Sequence, residues 1–170
     1  IRLISLKAAG ILIDIPEPHD TLEANAREKS TTIYKLTGQD CFSEDTGLEV
    51  AALGGEPGVR SARYAGDAAD PAANTAKLLA GLSKISDRRA RFRTVISLIL
   101  AGTEYQFEGI CTGHITNFPQ GSNGFGYDPV FIPDGETRSF GEMTMEEKKK
   151  FSHRRKATDL LVSFLAKQIK

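Results

Sequence analysis

The chain has 170 residues, of which 40% are hydrophobic and 26% charged, and this fits one globular domain over residues 1–170. Its 22 basic and 22 acidic side chains give a formal net charge of zero, which disfavours a general nucleic-acid binder. Two cysteines are too few for a disulfide framework and indicate free thiols in a reducing compartment, and the longest apolar run, Val95–Ala101, is too short to span a bilayer.

The first predicted elements are a strand, a connection and a helix. Residues Ile1–Leu6 have the pattern of a strand, and Ile11–Ile15 follows as a short apolar connection. A helix is predicted over Thr21–Leu36, with Asp20 as its N-terminal cap and Gly38 at its end.

An acidic turn between two short strands is predicted next. The strands are Cys41–Phe42 and Leu48–Leu53, and the turn is Glu44–Gly47. A second helix starts at Asp70–Pro71, where an N-cap residue precedes proline at the first helical position, and it ends near Ser83.

The second half of the chain predicts a hairpin, a short strand and a final helix. Ala90–Leu100 and Glu104–Thr116 form the hairpin around Gly102, and Phe125–Ile132 is another strand. An apolar stripe at helical spacing follows Ser152, which can cap the last helix. Interleaved helices and strands together with a hairpin predict an α/β domain, a long mixed β-sheet with flanking helices and two lobes.

The acidic segment places Glu44 and Asp45 directly before Thr46 and Gly47. A polar turn accounts for these residue types. The alternative is a Mg²⁺ site, because Mg²⁺ prefers hard oxygen ligands and takes only one or two protein carboxylates. Two carboxylates packed together also raise the pKa of one of them, which suits a general base. The residues alone leave both interpretations open.

Three further segments combine polar groups with helix or strand signals. Lys29 shares a helix face with Asn25 and either extends to solvent or reaches a phosphate. The glycine-rich segment Gly121–Pro129 is either a loop with inward aromatics or a backbone cradle in which an aromatic ring stacks on a base. The charge run Glu146–Lys156 is either a solvated face or, at a helix N-terminus, an anion site.

Three sequence motifs together resemble the inosine triphosphate pyrophosphatase family. They are "SEDTGLEVAALGGEPGVRSARYAG", "GFGYDPVF" and "EEKKKFSHRRKA", and they occur in the family's order from about Asp20 to the C-terminus. The resemblance implies a cytoplasmic, homodimeric, Mg²⁺-dependent enzyme that hydrolyses ITP, dITP and XTP to the monophosphate and pyrophosphate. It also implies an α/β fold with the purine nucleoside triphosphate in a central cleft between two lobes, and neither nucleic acid nor a membrane as partner.

The resemblance also assigns roles to residues in the acidic segment and the first helix. Asp45 matches the family's proton acceptor and metal ligand, Thr46 a substrate-contacting residue, and Lys29 the phosphate-contacting lysine. Glu44 stands where the family usually has Asp. Glu23 lies one residue before the usual position of a metal-binding Glu. Both are therefore further candidate Mg²⁺ ligands.

The base subsite is assigned by the same resemblance. Phe125, Gly126, Tyr127 and Asp128 match the base-reading loop, with Phe125 as the stacking partner. Lys148, His153 and Arg154 match the remaining substrate-binding positions, and the last two can offer donors to a 6-oxo group.

The start of the chain departs from the family pattern. The family opens with a strand, an Ala-Thr-x-Asn-x-x-Lys loop that grips the triphosphate and a helix, and nothing in Ile1–Ile15 matches them. We therefore expect a domain that is N-terminally incomplete relative to the family. If the chain is complete as it stands, phosphate binding should be weakened and the sheet should expose an unpaired edge. The alternatives are a catalytically inactive nucleotide-binding or dimeric interaction domain and, from the basic run, a nucleic-acid-binding module.

Overall fold

The computed structural model describes residues 2–168 as a central β-sheet with helices on both of its faces. The elements, in chain order, are α1 (Leu22–Thr37), β1 (Cys41–Val50), β2 (Pro57–Gly58), α2 (Pro71–Gly81), β3 (Arg89–Leu100), β4 (Thr103–Ile115), β5 (Phe131–Pro133), α3 (Met145–Lys149) and α4 (His153–Gln168). This arrangement confirms the predicted α/β class.

The sheet has five strands in the order β2-β1-β3-β4-β5. All the pairings described in residues 2–168 are antiparallel, whereas the sequence predicted a mixed sheet. The register explains the difference. Val50 pairs with Ala90, so β3 begins at the end of the sheet where β1 stops. The connection through β2 and α2 therefore returns to the same end and needs no crossover to a parallel neighbour.

Alternating residues of the strands face the helices on either side. On one face, Val95 of β3 packs with Leu22 and Ala26 of α1. On the other face, Ile96 of β3 packs with Leu161 of α4. The period-two alternation of a strand thus divides β3 between two helical layers.

The signals at the ends of the helices act largely as the sequence predicts. The side chain of Thr21, and not that of Asp20, caps α1 by accepting a hydrogen bond from the amide of Ala24 at 3.2 Å. Gly38 ends α1 in the left-handed conformation, at φ +65°. Ser152 caps α4, because its hydroxyl oxygen accepts from the amide of Arg155 at 3.2 Å.

Buried apolar side chains form separate clusters, in agreement with two lobes. The largest cluster joins β1, α2, β3, β4 and the segments that follow β4, and it includes the buried rings of Phe92, Phe131 and Phe140. A second cluster lies between the hairpin and α4 and includes Leu98 and Ala157.

Three predicted elements differ from the structure. The acidic segment is no turn, because β1 runs through it without a break and pairs with β3 along its whole length. Residues 125–130 form a turn and a single 3₁₀ turn, so that only Phe131–Pro133 is a strand. Of the predicted strand Ile1–Leu6, residues 2–6 have no strand structure and Ile1 lies outside the described residues.

None of the helices described in residues 2–168 combines the length and the hydropathy that crossing a bilayer requires.

Candidate active site

A cavity of about 330 Å³ gathers most of the residues that the sequence singles out. It is bounded by β1, the start of α2, the glycine-rich loop, α3 and the start of α4. The predicted residues that line it are Thr46, Phe125, Gly126, Tyr127, Asp128, Lys148, His153 and Arg154. Positions more than 100 residues apart in the chain therefore meet at one site.

The carboxylate of Asp128 holds the glycine-rich loop in shape. Asp128 is 2% exposed, and its Oδ2 accepts hydrogen bonds from the amide of Phe125 at 2.9 Å and from Lys148 Nζ at 2.5 Å. Gly124 adopts φ +78°, and a Cβ on it would overlap the Asp128 carboxylate. The loop thus requires glycine where it passes over this buried ion pair.

The aromatic residues of the loop have different environments. Phe125 is 65% exposed at the cavity, with Lys148 Nζ 4.7 Å from the centroid of its ring, so one face of the ring can receive a planar base. Tyr127 is buried, and its hydroxyl donates a hydrogen bond to the carbonyl oxygen of Ser61 at 2.8 Å. Burial raises the pKa of Tyr127, which therefore stays a neutral donor.

His153 begins α4 and is 8% exposed. Its ring stacks on that of Phe92, with centroids 4.9 Å apart. Burial, together with the positive charges of Arg154 and Lys148, lowers the pKa of His153 to about 3. The imidazole is therefore neutral at physiological pH, and its buried Nδ1 has no hydrogen-bond partner within residues 2–168.

The two neighbouring acids of β1 lie on opposite faces of the sheet. Glu44 faces α4, where its carboxylate forms an ion pair with Arg154 Nε at 2.7 Å. Asp45 faces α1, where its Oδ1 lies 3.3 Å from Lys29 Nζ. The structure therefore brings Lys29 to Asp45, and it leaves Glu44 on the side of the base cavity.

Asp45 is a buried carboxyl group with an incomplete set of partners. It is 8% exposed, and its Oδ2 has no hydrogen-bond partner among the described residues. Burial raises the pKa of Asp45, Lys29 opposes that shift, and the negative charge of Glu17 adds to it. Lys29 Nζ also donates to Glu17 Oε1 at 2.5 Å. Asp45 of β1, Lys29 of α1 and Glu17 thus form a cluster of two carboxylates and one ammonium group.

Glu23 lies apart from Asp45 in an ion-pair network on the α1 face. Its carboxylate contacts Arg93 at 2.5 Å, and Arg93 also contacts Glu49 and Glu108. The structure therefore does not bring Glu23 to Lys29 and Asp45, and it gives this carboxylate a role in joining α1 to the sheet.

The donor set at Asp45 suits a hard cation. No cluster of three or more His, Cys, Asp or Glu side chains able to hold a metal occurs within residues 2–168. Mg²⁺ needs no such cluster, because it retains water and substrate phosphates and takes only one or two protein carboxylates. The unpartnered, buried Oδ2 of Asp45 is the oxygen that such an ion would satisfy.

Several residues that shape the site carry no clear signal in the sequence. Glu17 lies in an irregular segment between two prolines, and only the fold brings it to Lys29. Asn74 of α2 is buried and binds the backbone of the segment after β2 through Ala62 and Ala65. The hydroxyl of Ser61 accepts from the amide of Leu48, so this segment is fixed to β1. Serine, asparagine and glutamate are too common for their types alone to identify such roles.

Residues 1–164 match the model of the Ham1 family. The chain is 49% identical over 167 residues to the dITP/XTP pyrophosphatase of Christiangramia forsetii, covering 98% of this chain and 88% of the relative. It is 49% identical over 166 residues to the dITP/XTP pyrophosphatase of Porphyromonas gingivalis, covering 97% and 86%.

Solved structures show the same similarity in three dimensions. The Ham1 protein of Staphylococcus aureus superimposes with a TM-score of 0.89 at 41% identity, covering 92% of this chain and 82% of that one. A nucleoside-triphosphatase, or dITP/XTP pyrophosphatase, of Mycobacterium abscessus superimposes with a TM-score of 0.82 at 43% identity, covering 93% and 85%.

Proposed function

The chain belongs to the Ham1 family, and we propose that it is a nucleoside-triphosphate pyrophosphatase. It hydrolyses non-canonical purine nucleotides, of the kind ITP, dITP and XTP, to the monophosphate and pyrophosphate. The observation that carries this proposal is the meeting of the loop Phe125–Asp128 with Lys148, His153 and Arg154 in one cavity beside Thr46 of β1. Removal of such nucleotides cleanses the nucleotide pool.

The cavity supplies the contacts that a 6-oxopurine requires. The exposed ring of Phe125 stacks on the base. The neutral imidazole of His153 offers one N–H donor, and Arg154 carries further N–H donors besides the Nε that contacts Glu44. Donors aimed at the 6-position accept an oxo group and reject the amine of adenine, because an amine leaves them unpaired.

The edge of β1 carries the groups that act on the phosphates. Thr46 lies in the base cavity, and Asp45 lies on the opposite face beside Lys29, so a nucleotide bound at the cavity extends its phosphates across this edge. The Lys29 ammonium neutralises phosphate charge. The Asp45 carboxylate accepts a proton from the attacking water, and its raised pKa suits a general base.

Mg²⁺ is the proposed cofactor, and Asp45 is the residue that would hold it. When bound, Mg²⁺ supplies neutralisation of the charge that develops on the leaving pyrophosphate. The remaining chemistry belongs to the protein, since Asp45 orients and deprotonates water while Lys29 positions the phosphates.

The proposal extends to the setting of the enzyme. It acts as a cytoplasmic homodimer, as the family resemblance implies, with neither nucleic acid nor a membrane as partner. The net charge of zero supports the absence of a nucleic-acid partner, as do the contacts of the charge run Glu146–Lys156. Four of its cations are paired within the fold, as Lys148–Asp128, Lys149–Glu146, Arg154–Glu44 and Arg155–Asp159.

A nucleotide panel tests the proposal. Pyrophosphate release is measured with Mg²⁺ and dITP, XTP, dGTP or ATP as substrate, and kcat/KM is compared. We expect dITP and XTP to exceed ATP by about 10²-fold or more, because loss of a designed hydrogen bond leaves buried donors unpaired. Equal kcat/KM for all four nucleotides, or no pyrophosphate from any of them, would contradict it. The second result would favour the inactive nucleotide-binding alternative.

A further inference from the structure

Lys29 lies between two carboxylates that come from different parts of the chain. Its Nζ is 2.5 Å from Glu17 Oε1 and 3.3 Å from Asp45 Oδ1. The two oxygens can therefore be no further apart than the sum of these distances. The ammonium group therefore lies between the two carboxylates, in the region that a cation bound by both of them would occupy.

Asp45 provides an independent sign that a ligand belongs at this place. Its Oδ2 is buried and has no hydrogen-bond partner among the described residues. A buried carboxylate oxygen without a partner is costly, because it has lost its hydration without replacement. Oδ2 shares a carbon atom with Oδ1, so the unsatisfied oxygen lies beside the Lys29 ammonium.

The two alternative ligand positions near the start of α1, 23 and 24, bring no carboxylate to this place. Glu23 is held by Arg93, and position 24 is an alanine. Glu17 comes instead from the irregular segment before α1 and approaches Lys29 from outside the helix. The chain thus supplies its second carboxylate from a position that helical spacing does not indicate.

We propose that Glu17 and Asp45 together form a divalent-cation site, and that Lys29 fills this site when cation and nucleotide are absent. A divalent cation displaces the Lys29 ammonium, which then turns to the phosphates. The two carboxylates suit Mg²⁺, which takes one or two of them and completes its shell with water and phosphate oxygens. The inference rests on the proposed function for the role of the site, but the site itself is testable without a nucleotide.

The test uses Mn²⁺, a paramagnetic substitute for Mg²⁺, and measures by electron paramagnetic resonance how tightly it binds to the whole chain without nucleotide. Glu17→Gln should weaken Mn²⁺ binding by about tenfold or more, since loss even of a partner of a ligand costs roughly this much. Lys29→Met should strengthen Mn²⁺ binding, because it removes the competing ammonium group. Glu28→Gln is the charge-matched control, since Glu28 is also near Lys29 in sequence but pairs with His19, and it should leave binding unchanged.

The outcomes separate this inference from the proposed function. Unchanged Mn²⁺ affinity in Glu17→Gln, with circular dichroism confirming the fold, would overturn the role of Glu17. Weaker Mn²⁺ binding in Lys29→Met would overturn the role of Lys29 as occupant of the site. Mn²⁺ binding that follows the predicted pattern in a protein that releases no pyrophosphate from dITP would support the cation site and contradict the proposed function instead.

Discussion

At the scale of single residues, burial sets the charge of a side chain that faces the base cavity. His153 is enclosed by Phe92 and by the start of α4, and its pKa falls to about 3. The imidazole consequently enters the site as a neutral group with defined donor and acceptor nitrogens. A charged ring would add to the positive charge of Arg154 and Lys148 and would distinguish poorly between a donor and an acceptor on a base.

The depressed pKa of His153 predicts an acid-dependent loss of stability. Between the ordinary pKa of 6.5 and the folded value of about 3, the unfolded chain binds a proton that the folded chain does not. The free energy of unfolding therefore falls as the pH falls through this range. In urea unfolding between about pH 4 and 7, the free energy of unfolding of His153→Asn should therefore depend less on pH than that of wild type.

A histidine elsewhere provides the control for this measurement. His114 is exposed on β4, so His114→Asn tests the loss of a histidine as such. An equally steep profile in wild type and His153→Asn would contradict the assignment of a buried neutral imidazole.

Residue types could be predicted from the sequence, but their directions could not. The motifs predict roles for Asp45, Thr46 and the loop around Phe125. Thr46 and the loop line one cavity, whereas Asp45 lies on the other face of β1 beside Lys29. That Glu44 and Asp45 point to opposite faces follows from an unbroken strand, which two adjacent acids followed by glycine do not suggest. Glu17 could not be found, since its contact with Lys29 depends on the path of an irregular segment.

At the scale of elements, one buried ion pair joins α3 to the glycine-rich loop. Lys148 and Asp128 are 11% and 3% exposed in their side chains and lie 2.5 Å apart. The same ammonium group lies over the rings of Phe125 and Phe140. Lys148 therefore fixes both a helix and the aromatic wall of the cavity.

Loss of this ion pair should be costly. Lys148→Met leaves the Asp128 carboxylate buried without its cation, and we expect the free energy of unfolding to fall by about 3–5 kcal/mol. Urea denaturation measures the change. The matched control is Lys149→Met, which removes an exposed pair with Glu146 and should have little effect. Equal stability of the two variants would show that the buried pair contributes nothing.

Elements with local signals were predicted, whereas those fixed by distant contacts were not. The helices begin and end near their caps, as at Asp70 and Gly38, because capping depends on neighbouring residues. The acidic part of β1 is a strand because β3 pairs with every residue of it, and this overrides the turn preference of Glu44–Gly47. The loop at Phe125 is no strand because Asp128 and its glycines hold it as a turn.

At the scale of the whole molecule, the proposed homodimer would have to bury apolar surface between its two chains. Large hydrophobic residues are exposed on several elements, among them Leu36 at 59%, Phe118 at 62% and Val162 at 57%. Single exposed residues of this kind are normal on protein surfaces, and only a contiguous apolar patch marks an interface, so the dimer remains a proposal.

The proposed homodimer predicts the mass of the protein in solution. Light scattering coupled to size-exclusion chromatography should give twice the chain mass at micromolar concentration. The mass should not change when the ionic strength is raised, since apolar contacts are little affected by screening. A mass equal to that of one chain over the whole concentration range would contradict the dimer.

The most direct test of the account compares pyrophosphate release from dITP by wild type and by Asp45→Asn, with Glu28→Gln, at a half-buried residue, as control. Burial raises the pKa of Asp45, so at neutral pH the ionised carboxyl group lowers the free energy of unfolding. The neutral amide of Asp45→Asn avoids this cost, and the variant should be at least as stable as wild type. We predict wild-type stability with pyrophosphate release reduced by about 10²–10⁴-fold, the usual contribution of a general base. A folded Asp45→Asn that releases pyrophosphate at the wild-type rate would contradict the account.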